Sequence, residues 1–339
     1  MLQHHQPNPI RTVPDVKAIL CTRLGGPDDL ELSELPMPVA AAGEAVVGIK
    51  AVGLNFYDTL IIAGKYQTKP PLPFSPGGEF AGVIESVGAG VSGFAPGDRV
   101  MGYTSFGAAR QFAAVPVDKL ALLSIDLDLE RAAGLNITYG TSYHALQDRA
   151  ALKAGETLAV LGASGGVGLA AVELGKQMGA RVIACASSAD KLTFAAQHGA
   201  DELVDYAAEN LTDALKRLGG EHGIDVIYDP VGGPYSEAAL RAIAWEGRFL
   251  VIGFAAGEIP RLPLNLTLLK GCDILGVNWG AFVRQKPQAH RAGLDQLARW
   301  CAQGKLSCHI HAVYPLTETA QALKAIAERK AMGKVILRP

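Results

Sequence analysis

The stretch Thr157 to Gly179, TLAVLGASGGVGLAAVELGKQMG, decides how this chain is read. It opens on an apolar run, Leu158-Ala159-Val160-Leu161, short enough to be one buried strand. Glycines follow at Gly162, Gly165, Gly166 and Gly168, then small and apolar residues at helical spacing up to Gly179. Strand, glycine turn and helix together open a dinucleotide-binding unit. One glycine lets the chain reverse where a Cβ would clash. Another lets backbone N–H groups approach a pyrophosphate, and a third lets the new helix pack against the strand. The spacing Gly162-x-x-Gly165-x-x-Gly168 is not the commoner G-x-G-x-x-G. Alone, it also fits a glycine turn with no ligand, so the surrounding elements must decide.

Downstream, strands and helices alternate. Val182–Ala186, Glu202–Val204, Ile224–Tyr228, Arg248–Gly253 and Ile274–Val277 read as strands. Asp190–His198, Leu211–Leu218 and Tyr235–Ile243 read as helices, and Leu129–Leu146 has helical spacing just upstream. That alternation predicts an α/β fold with a doubly wound parallel Rossmann sheet, and it favours the ligand-binding reading of the glycine loop. The first part of the chain differs. Val16–Cys21, Leu30–Leu35, Ala45–Val52, Phe80–Val91, a strand after Gly97 and Gln111–Val117 are short strands punctuated by Gly and Pro. They predict an antiparallel, barrel-like domain. After Asn278, a helix over Ala289–Gln303, a strand over His309–Tyr314, a helix over Glu318–Lys330 and a strand over Lys334–Leu337 are expected to rejoin it. The divisions expected are a polar, Pro-bearing tail at 1–15, one domain from 16–135 with 279–339, and the dinucleotide-binding domain at 136–278.

Composition bounds the rest. Of 339 residues, 49% are hydrophobic and 19% charged, which suits packed cores and not disorder. Net charge is −2, with no basic stripe, so nucleic acid is not an expected partner. No apolar run reaches the ~18–20 residues of a membrane span. The opening MLQHHQPNPIRTVPD lacks the apolar core of a secretory signal. The five scattered cysteines form no C-x-x-C, which fits a reducing cytoplasm rather than a disulfide framework.

The second strand of the unit names the nucleotide. An NAD site places Asp or Glu near its tip, where the carboxylate accepts from the ribose hydroxyls. Here the tip reads Cys185-Ala186-Ser187-Ser188, then Asp190-Lys191. Hydroxyls plus a cation suit a ribose phosphate, so NADPH is the expected cofactor. Ser187 and Ser188 can cap the next helix as well.

GASGGVG, with KLTFAAQHGADELVDY and VIYDPVGG, resembles the medium-chain dehydrogenase/reductase superfamily. VGLNFYDTLIIAGKYQTKPPLPFSPGGEFAGVI and AIAWEGRFLVIGFAAGEIP are similar to its zinc-free NADPH:quinone oxidoreductases, in particular to the quinone-oxidoreductase-like subgroup. The resemblance runs from Val16 to Pro339 and implies that the first domain is GroES-like. It implies cofactor contacts at Asn55, Thr141, Ala163, Ser164, Gly165, Gly166, Val167, Ser187, Lys191, Tyr206, Gly253, Phe254 and Lys334. Zinc-dependent relatives have a ligand cysteine in a G-x-C segment, a ligand histidine in Gly-His-Glu and a third ligand cysteine further on. This chain has Asn55, Gly78 and Ala133 there, and Met101–Arg110 has no structural-zinc cysteines. Glu79 alone cannot hold an ion that needs three protein ligands, so no metal is expected.

Without zinc, hydride must go to a carbon that is already electrophilic: a quinone or an α,β-unsaturated carbonyl compound. By the same resemblance, Asn55 lies beside the nicotinamide and can donate through its amide, and Tyr66 is the expected proton donor, with Tyr57 a weaker one. An enoyl-thioester reductase is the nearest rival, with Lys65, Lys69 and Arg284 available at a channel mouth. A nucleotide-binding protein without turnover is the other. An exposed edge strand near Ile274–Val277 implies a homodimer.

Overall fold

The computed structural model describes residues 15–339. The expected tail therefore lies outside the described residues, save Asp15, which already pairs with Pro36. Strands β1 (Asp15–Cys21) and β2 (Leu30–Pro36) form an antiparallel pair. The next elements are β3 (Glu44–Leu54), helix α1 (Phe56–Ile62), β4 (Glu79–Val87), β5 (Arg99–Tyr103), β6 (Phe112–Pro116) and β7 (Leu120–Leu122). β3 is central, antiparallel to both β4 and β6 and buried along almost its whole length. A strand covered on both faces reads as the near-continuous apolar run AVVGIKAVGL.

The helix expected over Leu129–Leu146 is broken. It consists of α2 (Leu129–Ala132), a wide π turn over Leu135–Tyr139, α3 (Gly140–Tyr143) and a second π turn over His144–Arg149. The first break has a visible cause. The Ile137 N–H donates to Glu79 Oε2 at 2.8 Å instead of to a helical carbonyl. A buried carboxylate on β4 thus pulls the backbone out of register, which helical spacing cannot reveal.

The Rossmann unit follows: β8 (Thr157–Leu161), α4 (Gly166–Gln177), β9 (Arg181–Ala186), α5 (Ala189–Gln197), β10 (Glu202–Asp205), α6 (Leu211–Gly219), β11 (Ile224–Asp229), α7 (Pro234–Leu240), β12 (Ile243–Val251), α8 (Asn265–Lys270) and β13 (Asp273–Gly276). All strand pairs are parallel, in the order β10-β9-β8-β11-β12-β13. The order reverses between β8 and β11, and in such sheets ligands bind at that switch point, beyond the carboxyl ends of the strands. β13 is an edge strand, as expected. α8 has no counterpart in the sequence reading: it is six residues long, and its Leu268 and Leu269 are exposed rather than facing a core.

The chain then returns through α9 (Trp279–Gln285), α10 (Pro287–Ala302), β14 (Ile310–Pro315), α11 (Thr319–Ala327) and β15 (Lys334–Arg338). β15 runs antiparallel to β3 and parallel to β14, completing a seven-stranded sheet. Several ties join this part to the nucleotide unit. Glu173 of α4 is buried and accepts from the Tyr139 hydroxyl at 2.9 Å and the Ser307 N–H at 3.0 Å. Gly333 N–H donates to Ser164 O at 2.9 Å, so the segment before β15 touches the glycine loop. Among the described residues no helix is long and apolar enough to cross a membrane.

Candidate active site

The glycine loop leaves β8 at Leu161 and enters α4 at Gly166. A side chain at Gly168 would place its Cβ 2.1 Å from the Gly162 carbonyl, so only glycine lets the helix start this close to the strand. The N–H groups in the first turn of this twelve-residue helix, from Gly166, Val167 and Gly168, have no partner within the helix. They and the helix dipole suit an anion. Ala163 and Ser164 are buried in the turn. Thr141 lies on the adjacent α3, beside Ser142, whose hydroxyl bonds Val167 O at 3.0 Å and the Tyr228 hydroxyl at 2.7 Å. That buried contact, absent from the sequence reading, fixes α3 against the loop.

At the tip of β9, Ser187 is exposed, and the Tyr206 N–H donates to Ala186 O at 3.1 Å just beside it. Burial, then Tyr235, push Tyr206 up to about 12, so it stays protonated as a donor. Lys191 sits in the first turn of α5. The structure adds Arg329, whose charge acts on Tyr206 and whose guanidinium holds Ala255 O at 2.7 Å. Arg329 comes from beyond α11, so no local motif in the sequence could bring it here. Gly253 and Phe254 follow β12. The turn beneath them is built by buried Asp229, which accepts from the N–H groups of Val231 at 2.8 Å and Gly232 at 2.9 Å. Phe254 packs over Gly232.

Asn55 caps α1, and its N–H donates to Asp58 Oδ2 at 2.8 Å. The spacing Asn55-x-x-Asp58 is that of a capping box, a signal readable in the sequence. Asp58 is also bonded by Gly77 N–H at 3.1 Å. Burial pushes its carboxyl up to about 7, against the lowering effect of those two bonds and of Lys334.

Beside it lies a buried ion pair. Lys334 Nζ donates to Glu79 Oε1 at 2.5 Å, to Asn55 Oδ1 at 2.7 Å and to Leu54 O at 2.9 Å. Lys334 is only 5% exposed and Glu79 is fully buried, so all three ammonium hydrogens are used inside the protein. The Asn55 amide donates to Glu79 Oε1 at 2.9 Å and to Gly53 O at 3.3 Å. Both of its donors are therefore engaged. The expected donation by Asn55 requires release of the longer bond to Gly53. Lys334, expected at the cofactor, is bonded to Asn55 and has no spare ammonium hydrogen of its own.

The wall above is aromatic. Tyr57 and Tyr66 lie with ring centroids 5.4 Å apart, and Tyr103 packs edge-on against Trp279 at 4.8 Å. A Cβ at Gly78 would fall 1.7 Å from the Tyr57 hydroxyl oxygen, which donates to Ser105 O at 3.1 Å. The Tyr57 hydroxyl thus fills the space that any side chain at position 78 would need. Burial raises Tyr66 and, more strongly, Tyr57.

A parallel sheet with a phosphate cradle at its switch point, facing a cleft closed by an antiparallel sheet, defines a two-domain nucleotide-dependent oxidoreductase of medium-chain type. Two family models agree. The alcohol dehydrogenase GroES-like domain matches residues 41–124 and the zinc-binding dehydrogenase family matches 166–298. The chain is 38% identical to quinone oxidoreductase-like protein 2 of Rattus norvegicus, over 95% of this chain and 91% of that relative. It is similar to a crystal structure of a probable oxidoreductase from Mycobacterium abscessus, with TM-score 0.87, 36% identity, and 96% and 100% of the two chains covered. It is also similar to Escherichia coli quinone oxidoreductase in a complex with NADPH, with TM-score 0.87, 28% identity, and 96% and 99% covered. The chain belongs to the quinone oxidoreductase-like family of the medium-chain dehydrogenase/reductase superfamily.

Asp58 gives this site a pH signature. An aspartate in an unfolded chain titrates near ~3.9, so between that value and about 7 the folded protein holds a proton that the unfolded chain lacks. This contribution is fully present below pH ~4 and is lost as the pH rises through ~7. In urea titrations, the stability of the wild type relative to Asp58→Asn should fall by roughly 2–3 kcal/mol from pH 5 to pH 8. An unchanged difference between the two proteins would show that Asp58 is ionised throughout.

Proposed function

We propose that this protein is an NADPH-dependent reductase that delivers hydride, without a metal ion, to quinones or α,β-unsaturated carbonyl compounds. The observation that carries the reading is the buried ammonium of Lys334, bound by Glu79, Asn55 and Leu54. Asn55 stands where zinc-dependent relatives carry a ligand cysteine, and Glu79 follows the position of their ligand histidine. A cation from the chain itself already satisfies the donors there, and Tyr57 fills the space over Gly78.

The nucleotide residues fit the cofactor. The α4 N–H groups of Gly166 and Val167 bind pyrophosphate. Ser187, Lys191, Tyr206 and Arg329 offer hydroxyls and two cations to a ribose phosphate, and the β9 tip offers no carboxylate to NADH. Thr141 and Phe254 frame the nicotinamide end. NADPH supplies the hydride. The chain supplies the rest: Lys334 and Glu79 fix the Asn55 amide at the acceptor, and the aromatic wall excludes water. Tyr66 stays protonated at neutral pH because burial raises it, so it can give its proton to the oxygen or carbon of the reduced acceptor. A solvent proton then restores Tyr66. An enoyl thioester satisfies the same chemistry and is the second reading.

We also propose a homodimer formed through the β13 edge. Beside that edge lie Leu264, Leu268 and Leu269, exposed by 75%, 80% and 68%. Trp245, 67% exposed, rests on Gly271 just after α8. Such a patch beside an unpaired strand suits a two-fold contact. The five cysteines are free, which supports a reducing cytoplasm as its compartment.

Initial rates over quinones, enones and an enoyl thioester, with NADPH and with NADH, test the activity. Turnover should appear with NADPH and a free quinone or enone, and Lys191→Ala should raise the KM for NADPH about tenfold or more with little change for NADH. Silence across the panel would leave a nucleotide-binding protein without turnover, and equal effects on the two nucleotides would remove Lys191 from the phosphate site. Light scattering should give a dimer for the wild type and a smaller species for Leu268→Glu; a monomeric wild type would refute the β13 contact.

A further inference from the structure

We propose that Cys301 and Cys308 form a redox-active dithiol, which a hydroperoxide converts to an intramolecular disulfide. Cys301 lies in the last turn of α10, and Cys308 follows an exposed segment, residues 302–305, that turns just after that helix. The Cys308 thiol donates to Cys301 Sγ at 3.1 Å. That is about 1 Å beyond the ~2.05 Å of a disulfide bond, so closure needs little movement. Both sulfurs belong to buried residues, Cys301 at 0% and Cys308 at 3% exposure.

The backbone is arranged to hold this pair. Cys308 has φ of +47°, a left-handed conformation that non-glycine residues rarely adopt. Strain of that kind persists only where the surroundings enforce it. Here two buttresses grip the residues just before Cys308. Arg131 donates to Ser307 O at 3.0 Å and to Leu306 O at 2.8 Å. Glu173 accepts from Ser307 N–H at 3.0 Å. The sulfurs are therefore held against each other from both sides.

The same contacts assign roles. The bond from Cys308, and then the charge of Arg131, draw Cys301 toward its thiolate, while burial raises Cys308. Cys301 is the attacking sulfur and Cys308 the resolving one. In the first step the Cys301 thiolate takes the distal oxygen of hydrogen peroxide. The O–O bond breaks, one water leaves after proton uptake, and Cys301 becomes a sulfenic acid. In the second, the Cys308 sulfur attacks that sulfur and expels a second water. Two thiols lose two electrons and two protons, and one peroxide is reduced to two waters. Opening of the exposed turn at Gly304 admits the oxidant. The residue after Cys308, His309, accepts the Lys334 backbone N–H at 2.9 Å, so the dithiol adjoins the strand that carries the active-site lysine.

Trypsin makes the test direct, because Lys305 lies between the two cysteines. The full-length protein is reduced, desalted, treated with hydrogen peroxide, alkylated in denaturant and digested. The expected product is Trp300–Lys305 joined to Leu306–Lys324 by a bond that dithiothreitol cleaves, with two of the five thiols lost. In Cys308→Ser, Cys301 should stop as a sulfenic acid that dimedone traps. Wild-type protein with all five thiols still alkylated, with Cys301 oxidised but unlinked, or with Cys308 joined to another cysteine would overturn the proposal.

Discussion

A single buried ammonium sets the shape of the candidate site. Lys334 comes from the last strand, yet its three hydrogens go to the end of β3, to the cap of α1 and to the first residue of β4. The other oxygen of Glu79 holds the Ile137 N–H and opens the helix that leads into the nucleotide unit. One ion pair therefore connects the two halves of the molecule beside the candidate site. Breaking a pair this buried costs about 3–5 kcal/mol, because the carboxylate is left without a counter-charge. The geometry also fixes Asn55, whose amide is bonded at both ends.

The electrostatics of the cleft follow from that pair. Lys334 and Glu79 carry opposite charges, and burial raises Asp58 nearby to about 7, so a large share of it is protonated at neutral pH. The tyrosines keep their protons for the same reason. A neutral, aromatic-walled cleft suits an uncharged conjugated acceptor. It gives little help to a substrate that must first be deprotonated to an alkoxide.

The nucleotide-binding half was legible because its signals are local. A buried strand, a glycine turn and a helix occupy the continuous stretch 157–179, and period and punctuation recur through β13. The edge position of β13 followed from the same pattern. The broken helix after Leu129 was not legible, since its cause, Glu79, lies some fifty residues earlier and acts through space. Arg329 was hidden for a similar reason, reaching the turn at Ala255 only through the fold. Asn55, Glu79 and Lys334 could each be singled out, but not their mutual saturation, which depends on the register of β15 against β3. Short α8 carried no apolar periodicity because Leu266 alone faces inward while Leu268 and Leu269 face outward.

We propose that the Lys334 ammonium takes the place of a catalytic metal ion. The most direct test is NADPH-dependent quinone reduction before and after exhaustive dialysis against a strong chelator, with metal content measured on the same samples. The reading predicts unchanged kcat and KM in protein that holds well under one transition-metal ion per chain. Activity that is lost on chelation and restored by zinc would contradict it.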